Sequence, residues 1–276
     1  NWFRRFRRRR GFSIRRRTSV DQKLPKGRDG KAWSALAKST LSETRVHLVF
    51  QEVGNMDQTP IQHEMSVETT LEKRGAKESR INNVGESHEK ERFTICLAVM
   101  ADRSKVPMRI IFKGEPFGHP AGGMSFGVQD KSWDGARECT LWLSESWKLL
   151  PNNGSIIKQR RSILVLDDFK CHRDKAFIAD LLERTNTIVI LIPGGSTPLV
   201  QPLDRKLNKQ MGRLMRGEYT TYTSTAVVDA TTGKLKPPGR GTVSTWCKES
   251  WAAPEVVKSC CKICGLTLVP DGSEDD

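Results

Sequence analysis

ILVLDD, residues 163–168, is a run of four aliphatic side chains followed without a break by two carboxylates. A continuous apolar run with no polar alternation fits a strand covered on both faces, and Asp167 then stands at its tip. Further on, Phe177, Ile178, Leu181 and Leu182 repeat at helical spacing. Ile188 to Ile192 then form a second uninterrupted aliphatic strand before the break at Pro193, Gly194 and Gly195. Strand, helix and strand in that order predict a parallel pair joined by a right-handed crossover.

Upstream, FTICLAV (93–99) and MRIIF (108–112) are short apolar runs separated by a turn-like stretch with Asp102 and Pro107, which predicts an antiparallel hairpin. Leu143, Trp147 and Leu150 repeat at helical spacing until Pro151, Asn152, Asn153 and Gly154 break the pattern. Downstream, Leu203, Leu207, Met211 and Met215 mark one face of a helix that also holds Arg205, Lys206 and Lys209, with Asp204 in its first turn. The expected fold class is α/β: a mixed sheet, antiparallel at its start and parallel later, flanked by helices.

The 276 residues are 37% hydrophobic, enough for one substantial core with appended segments. The formal charge of +14 is unevenly placed. Residues 1–31 hold thirteen Lys or Arg against Asp21 and Asp29, a local net of +11, and the remainder is nearly neutral. That asymmetry marks a polyanion binder, because neutralising phosphates releases condensed counterions. Nucleic acid is the expected partner; an anionic membrane surface is disfavoured by the lack of a long amphipathic helix accompanying the charge.

Trp2, Phe3 and Phe6 lie on adjacent turns of a predicted helix ending at Gly11. Arg4, Arg5, Arg7, Arg8, Arg9 and Arg10 fill its other face, and Arg15, Arg16 and Arg17 follow. These nine arginines are the candidate phosphate contacts; a solvated basic tail doubling as a nuclear-import signal is the competing reading. Pro25, Gly27 and Gly30 then read as a linker.

No run of about 18 apolar residues and no apolar leader follows the basic start, so neither a membrane span nor secretion is expected. Seven irregularly spaced cysteines fit a reducing compartment. The Asn153-Gly154-Ser155 sequon then has no glycosylation meaning. The opening at Asn1 suggests a piece of a longer protein.

Asp57 in NMDQTP (55–60), Asp167 and Asp204 are read as standing at element ends, where they can converge on one sheet edge. Carboxylates gathered closely repel unless a cation neutralises them, and an all-oxygen donor set suits Mg²⁺ or Mn²⁺ better than Zn²⁺. Two such ions about 4 Å apart would support phosphodiester displacement. With 32 acidic residues in the chain, spacing leaves the ordinary alternative open, that these are turn or cap aspartates.

The strings NMDQTP (55–60), TTLEKRGAK (69–77), HEKERFTICLAVMAD (88–102), IFKG (111–114), LVLDDFKCH (164–172) and IPGGSTPLVQPLD (192–204) together resemble the DDE-superfamily transposases of the pogo, Tigger and jerky type, collinearly over about residues 45–225. The resemblance implies an RNase H-like fold in which three acids bind two divalent ions, nick double-stranded DNA at transposon ends and join the new 3′ hydroxyl to target DNA. Asp57, Asp167 and Asp204 match the first, second and third family acids, with Asp57 expected to bridge the ions. Asp168, one residue further from the strand, is the weaker candidate.

Residues 2–25, with GFSIRRRTS at 11–19, resemble the end of a centromere-protein-B-type helix-turn-helix, a remnant that would keep phosphate contacts and lose base readout. The implied organisation is residues 1–41 as the basic end of that module plus a linker, 42–225 as the nuclease, and 226–276 as a linker and helical tail. Nuclear location, Mg²⁺ or Mn²⁺ as cofactor and no small-molecule cofactor follow from the same resemblance, and a homo-oligomer is allowed. A domesticated, catalytically silent DNA-binding scaffold is the alternative; an unrelated RNase H-type nuclease fits less well, because the matching strings reach beyond the acids.

Cys260, Cys261 and Cys264 with Cys247 have ligand-like spacing for zinc, but Val257, Cys260, Cys261 and Cys264 repeat as one apolar helix face, the preferred reading. His172 could bond a phosphate or water at the site edge; a packed or solvent-facing loop histidine is favoured over that. Gly194 and Gly195 are read as a turn, since no Gly-Lys-Ser/Thr follows to make a phosphate loop.

Overall fold

The computed structural model describes residues 2–16, 52–63, 65, 69–75, 92–115, 123–129, 135–149, 162–192, 197, 201, 203–226, 231, 235 and 237–253. In chain order its elements are α1 (Trp2–Arg10), β1 (Phe12–Arg16), β2 (Val53–Gln62), β3 (Thr69–Lys73), β4 (Arg92–Met100), β5 (Arg109–Lys113) and β6 (Ser125–Gln129). There follow α2 (Ala136–Glu145), β7 (Ser162–Asp167), α3 (Lys175–Thr185), β8 (Thr187–Ile192), α4 (Asn208–Thr225) and α5 (Arg240–Ala252). A 3₁₀ turn, Trp147–Leu149, follows α2, and a π-helical turn, Leu203–Leu207, leads into α4.

Six strands form one sheet in the order β6-β5-β4-β2-β7-β8. The expected hairpin is present as the antiparallel β4/β5 pair, and the expected parallel pair as β7/β8. β2 lies between the two halves, antiparallel to β4 and parallel to β7. The edge strand β6, parallel to β5, has no counterpart among the sequence expectations.

The uninterrupted aliphatic runs follow from cover on both faces of the sheet. Ile163 and Val165 of β7 face one core with Phe93, Ile95, Leu97 and Val99 of β4, closed by Met211 and Met215 of α4 and by Val243, Trp246 and Trp251 of α5. Leu164 and Leu166 face a second core with Cys96, Ala98 and Met100, closed by Cys139, Trp142 and Leu143 of α2, Trp147, and Phe177 and Leu181 of α3. Helices therefore sandwich the sheet. Between Trp147 and the sheet there is room only for glycine: a Cβ on Gly54 would lie 2.7 Å from the Trp147 ring.

Local signals set the helix ends. Asp174 caps α3 by accepting hydrogen bonds from the Ala176 and Phe177 amides, and Asn186 ends it in the left-handed conformation at φ 50°. Lys105 caps the other end of the fold, donating to the carbonyls of Trp251 and Ala253 at the C-terminus of α5.

α1 forms as expected, with Trp2 stacked on Phe6 at 5.2 Å and Gly11 at φ +68° turning the chain. The stretch after it is extended. Phe12–Arg16 is a strand paired antiparallel with Thr69–Lys73, because Phe12 and Ile14 alternate with Ser13 and Arg15 at the period of a strand. Arg17, the Pro25-to-Gly30 linker, Leu150 with the Pro151-to-Gly154 break, Pro193 to Gly195, the sequon and everything after residue 253 lie outside the described residues.

One buried ion pair joins β5 to α2. Arg109, 1% exposed, donates to Glu138, 3% exposed, at 2.8–2.9 Å, and also meets the half-exposed Glu145 and Ser125. Removing one member of such a pair strands the other charge in the core. Glu138→Ala is expected to cost about 3–5 kcal/mol of unfolding free energy and Glu145→Ala under about 1 kcal/mol, both read from urea transitions. Equal losses would contradict the dominance of Glu138.

Candidate active site

The sheet positions the three aspartates differently from the sequence expectation. Asp57 is not at an element end: β2 runs from Val53 to Gln62, and Asp57 is paired within it, opposite Leu97. Pro60 lies within β2 where it no longer pairs with β7, so its missing N–H is tolerated. Asp167 ends β7, and Asp204 lies in the π-helical turn before α4, both near the expected places.

β2 and β7 pair in parallel from Val53↔Ile163 to Asn55↔Val165. Asp57 and Asp167 each lie two residues beyond that last pair, on the same face of their strands. Buried Asn55 fixes this corner. Its Nδ2 donates to the Val165 carbonyl at 2.9 Å and its Oδ1 accepts from the Leu203 amide at 3.2 Å, so one side chain ties together the three segments that carry the acids.

Asp57 and Asp204 meet beneath Asn208. The Asn208 Nδ2 donates to Asp57 Oδ2 at 2.5 Å and to Asp204 Oδ1 at 3.0 Å, while its own Oδ1 is buried without a hydrogen-bond partner. Burial first, and repulsion from Asp204 second, push the Asp57 carboxyl well above the usual carboxylate range; Asn208 opposes them only in part. The pair is short of positive charge.

Asp167 is held from the other side. Its Oδ1 lies 2.5 Å from Nδ1 of His172, whose ring is almost wholly buried. Burial works against a charged imidazole, but the Asp167 carboxylate and Cys171 outweigh it and raise His172 to about 10. His172 is therefore a packed histidine bonded to the second acid. Asp168 turns outward to Arg173 at 3.3 Å. Groups of three acidic, histidine or cysteine residues with ligand atoms mutually within 4.8 Å do not include the aspartates among the described residues; Asp57 and Asp204 are drawn together and Asp167 stands beside them on its own support.

Arg4, Arg5, Arg8, Arg9 and Arg10 are exposed along α1. Arg5, Arg8 and Arg9 line an open depression of about 270 Å³, and Arg7 lies over the Phe3 ring. Arg15 and Arg16 belong to β1. Cys247 is buried in α5, which pushes its thiol up, and Cys260, Cys261 and Cys264 lie outside the described residues.

Sequence reasoning missed Asn55 and Asn208. Both had a usable signal: Asn55 precedes Asp57 by one strand period, and Asn208 follows Asp204 by one helical turn.

A mixed sheet in the order β6-β5-β4-β2-β7-β8, covered by helices on both faces, is an RNase H-like fold. Its fold is similar to that of the mariner Mos1 paired end complex with Mn at a TM-score of 0.53, with 15% identity, covering 92% of this chain and 64% of that one. The Mos1 strand transfer complex gives 0.50 at 15% identity, over 98% and 66%. Residues 90–259 match the family model for the DDE superfamily endonuclease. The pogo transposable element with KRAB domain of Mus musculus, and the protein of the same description from Homo sapiens, are each 30% identical over 254 residues. That match covers 91% of this chain, which spans 41% of the length of those relatives. The chain belongs to the DDE superfamily endonucleases, of the pogo type.

Asn55→Leu, close in shape and unable to hydrogen-bond, is expected to cost about 1–3 kcal/mol for each of the two backbone groups it orphans, and to speed hydrogen exchange at the Leu203 amide. Asp57 gives a pH signature. With its folded pKa raised, the stability this group contributes is full below the ordinary carboxyl value of 3.8 and is lost as pH rises through the folded value. In chelator-treated protein, Asp57→Asn should therefore melt above wild type at neutral pH, the gap closing as pH falls towards 3.8. Parallel pH profiles would count against a buried, raised Asp57.

Proposed function

We propose that this chain is the nuclease part of a transposon-derived enzyme that cleaves and transfers strands of double-stranded DNA, with Asp57, Asp167 and Asp204 as its metal-binding carboxylates. The observation that carries the reading is the pairing of buried Asp57 with half-buried Asp204 beside the strand that ends in Asp167, with Asn55 of the first segment bonded to the other two.

The residues fit hard divalent ions. An orphaned Asn208 Oδ1 and a carboxyl raised by burial and a neighbouring acid describe an oxygen-rich corner that a cation would stabilise. Two Mg²⁺ or Mn²⁺ ions are proposed, in line with the Mn of the mariner Mos1 paired end complex; when bound, such ions supply charge stabilisation to the attacking and leaving oxygens. Asp57 and Asp204 would hold one edge of the ion site and Asp167 the other. His172 keeps the Asp167 carboxylate in place, and the Asn208 amide holds Asp57 and Asp204 together. The arginines of α1, with Arg15, Arg16 and Arg17, would grip phosphates without reading sequence. The nucleus is the proposed location.

A silent DNA-binding scaffold has one observation in its favour: the three acids do not form a single tight ligand group among the described residues. The decisive experiment is a nicking assay on terminal-repeat DNA with the full-length protein and Mg²⁺ or Mn²⁺. Asp57→Asn, Asp167→Asn and Asp204→Asn should each lower the rate about a thousandfold, roughly 4 kcal/mol on the barrier, while leaving DNA affinity in place. Binding without nicking by the wild type would instead establish the scaffold. Replacing Arg8, Arg9 and Arg10 by Gln should flatten the salt dependence of binding by about three units of log–log slope at most.

A further inference from the structure

The second core contains a cluster that the nuclease reading leaves unused. Cys139 on the inner face of α2, Cys171 in the loop after β7 and His172 beside it are all buried, and the two Sγ atoms and a His172 ring nitrogen lie within 4.8 Å of one another. Neither cysteine is in a disulfide. His172 Nδ1 is engaged by Asp167, while Nε2 is buried without a conventional hydrogen-bond partner.

We infer that Cys139, Cys171 and His172 form a soft-metal site of the Zn²⁺ class, distinct from the carboxylate corner and joined to it through the His172–Asp167 bond. Two thiolates and an imidazole are the donor set zinc prefers, and hard Mg²⁺ does not compete for sulfur. Zn–S bonds of about 2.3 Å place two sulfurs about 3.8 Å apart in a tetrahedron, so a triangle of 4.8 Å or less needs to contract by about an ångström at most. A carboxylate on the far ring nitrogen is the usual second partner of a zinc-bound histidine: it fixes the tautomer and turns the other nitrogen towards the metal. Asp167 holds Nδ1 in that manner, which makes Nε2 the ligand atom. Binding displaces to solvent the protons held on the two sulfurs and on His172 Nε2. The ion would pin α2 to the loop that follows β7, fixing the ring that supports the second acid.

The test is a Co²⁺ titration of the full chain, kept reduced and read by thiolate-to-cobalt charge-transfer absorption. The band should saturate at about one ion per chain and disappear on adding Zn²⁺. Cys139→Ser and Cys171→Ser should each weaken binding at least about a hundredfold. Asp167→Asn should weaken it by about tenfold through the histidine, and Asp57→Asn should leave it unchanged. No band, or a band that survives either serine substitution, overturns the proposal. X-ray absorption of the zinc-loaded wild type needs no variant: two sulfur neighbours at about 2.3 Å support the site, and a shell of oxygen and nitrogen alone overturns it. None of these readouts depends on nicking, so loss of the DNA-cleavage reading leaves this one standing.

Discussion

The amide of Asn55 is the point on which the candidate site turns. It reaches one carbonyl 110 residues away and one amide 148 residues away, in a place without solvent to substitute for either partner. Buried backbone groups must find partners, and here a single side chain supplies an acceptor to one segment and a donor to another. The segments so joined are those bearing the second and third acids, while Asn55 itself shares a strand face with the first. The relative positions of the acids are thus inherited from a neutral residue.

Two clusters of buried charge show opposite solutions to the same problem. Arg109 is surrounded by Glu138, Glu145 and Ser125, so its charge is answered within the protein. Asp57 is buried, faces a second acid and is answered by the Asn208 amide and the Gln58 backbone, which offset only part of the upward push on its carboxyl. A fold optimised for stability alone would not place Asp57 and Asp204 together. Such an imbalance would suit the ion-binding corner proposed above.

The sheet was legible because its strands are covered on both faces: ILVL and FTICLAV are continuous apolar runs, which leaves little choice but buried strands. The parallel pair followed from the helical stripe between two such runs. β6 was not legible, since SFGVQ is short and weakly apolar, and its Gly127 sits where Glu138 leaves no room for a Cβ. The acids were readable as types and as resemblance. Their supports were not, because Asn55 and Asn208 act through partners far away in the chain, and periodicity reports only on neighbours. Asp57 was read as standing at an element end, whereas β2 continues past it to Gln62, and Pro60 is harmless there because the pairing with β7 has already ceased.

The parallel contact between β2 and β7 also bears on how the chain reaches its folded state. Val53 must find Ile163 with the β4/β5 hairpin, β6 and α2 in between. Local pairs such as β4/β5 can close early, but β2/β7 pays the entropy of a long loop before it gains any contact. The corner carrying the acids is therefore among the last parts of the sheet to assemble during synthesis, after β7 has left the ribosome. Because loop-closure entropy grows only logarithmically with length, the connection between Leu149 and β7 can lengthen or shorten over evolutionary time at little entropic cost to that corner.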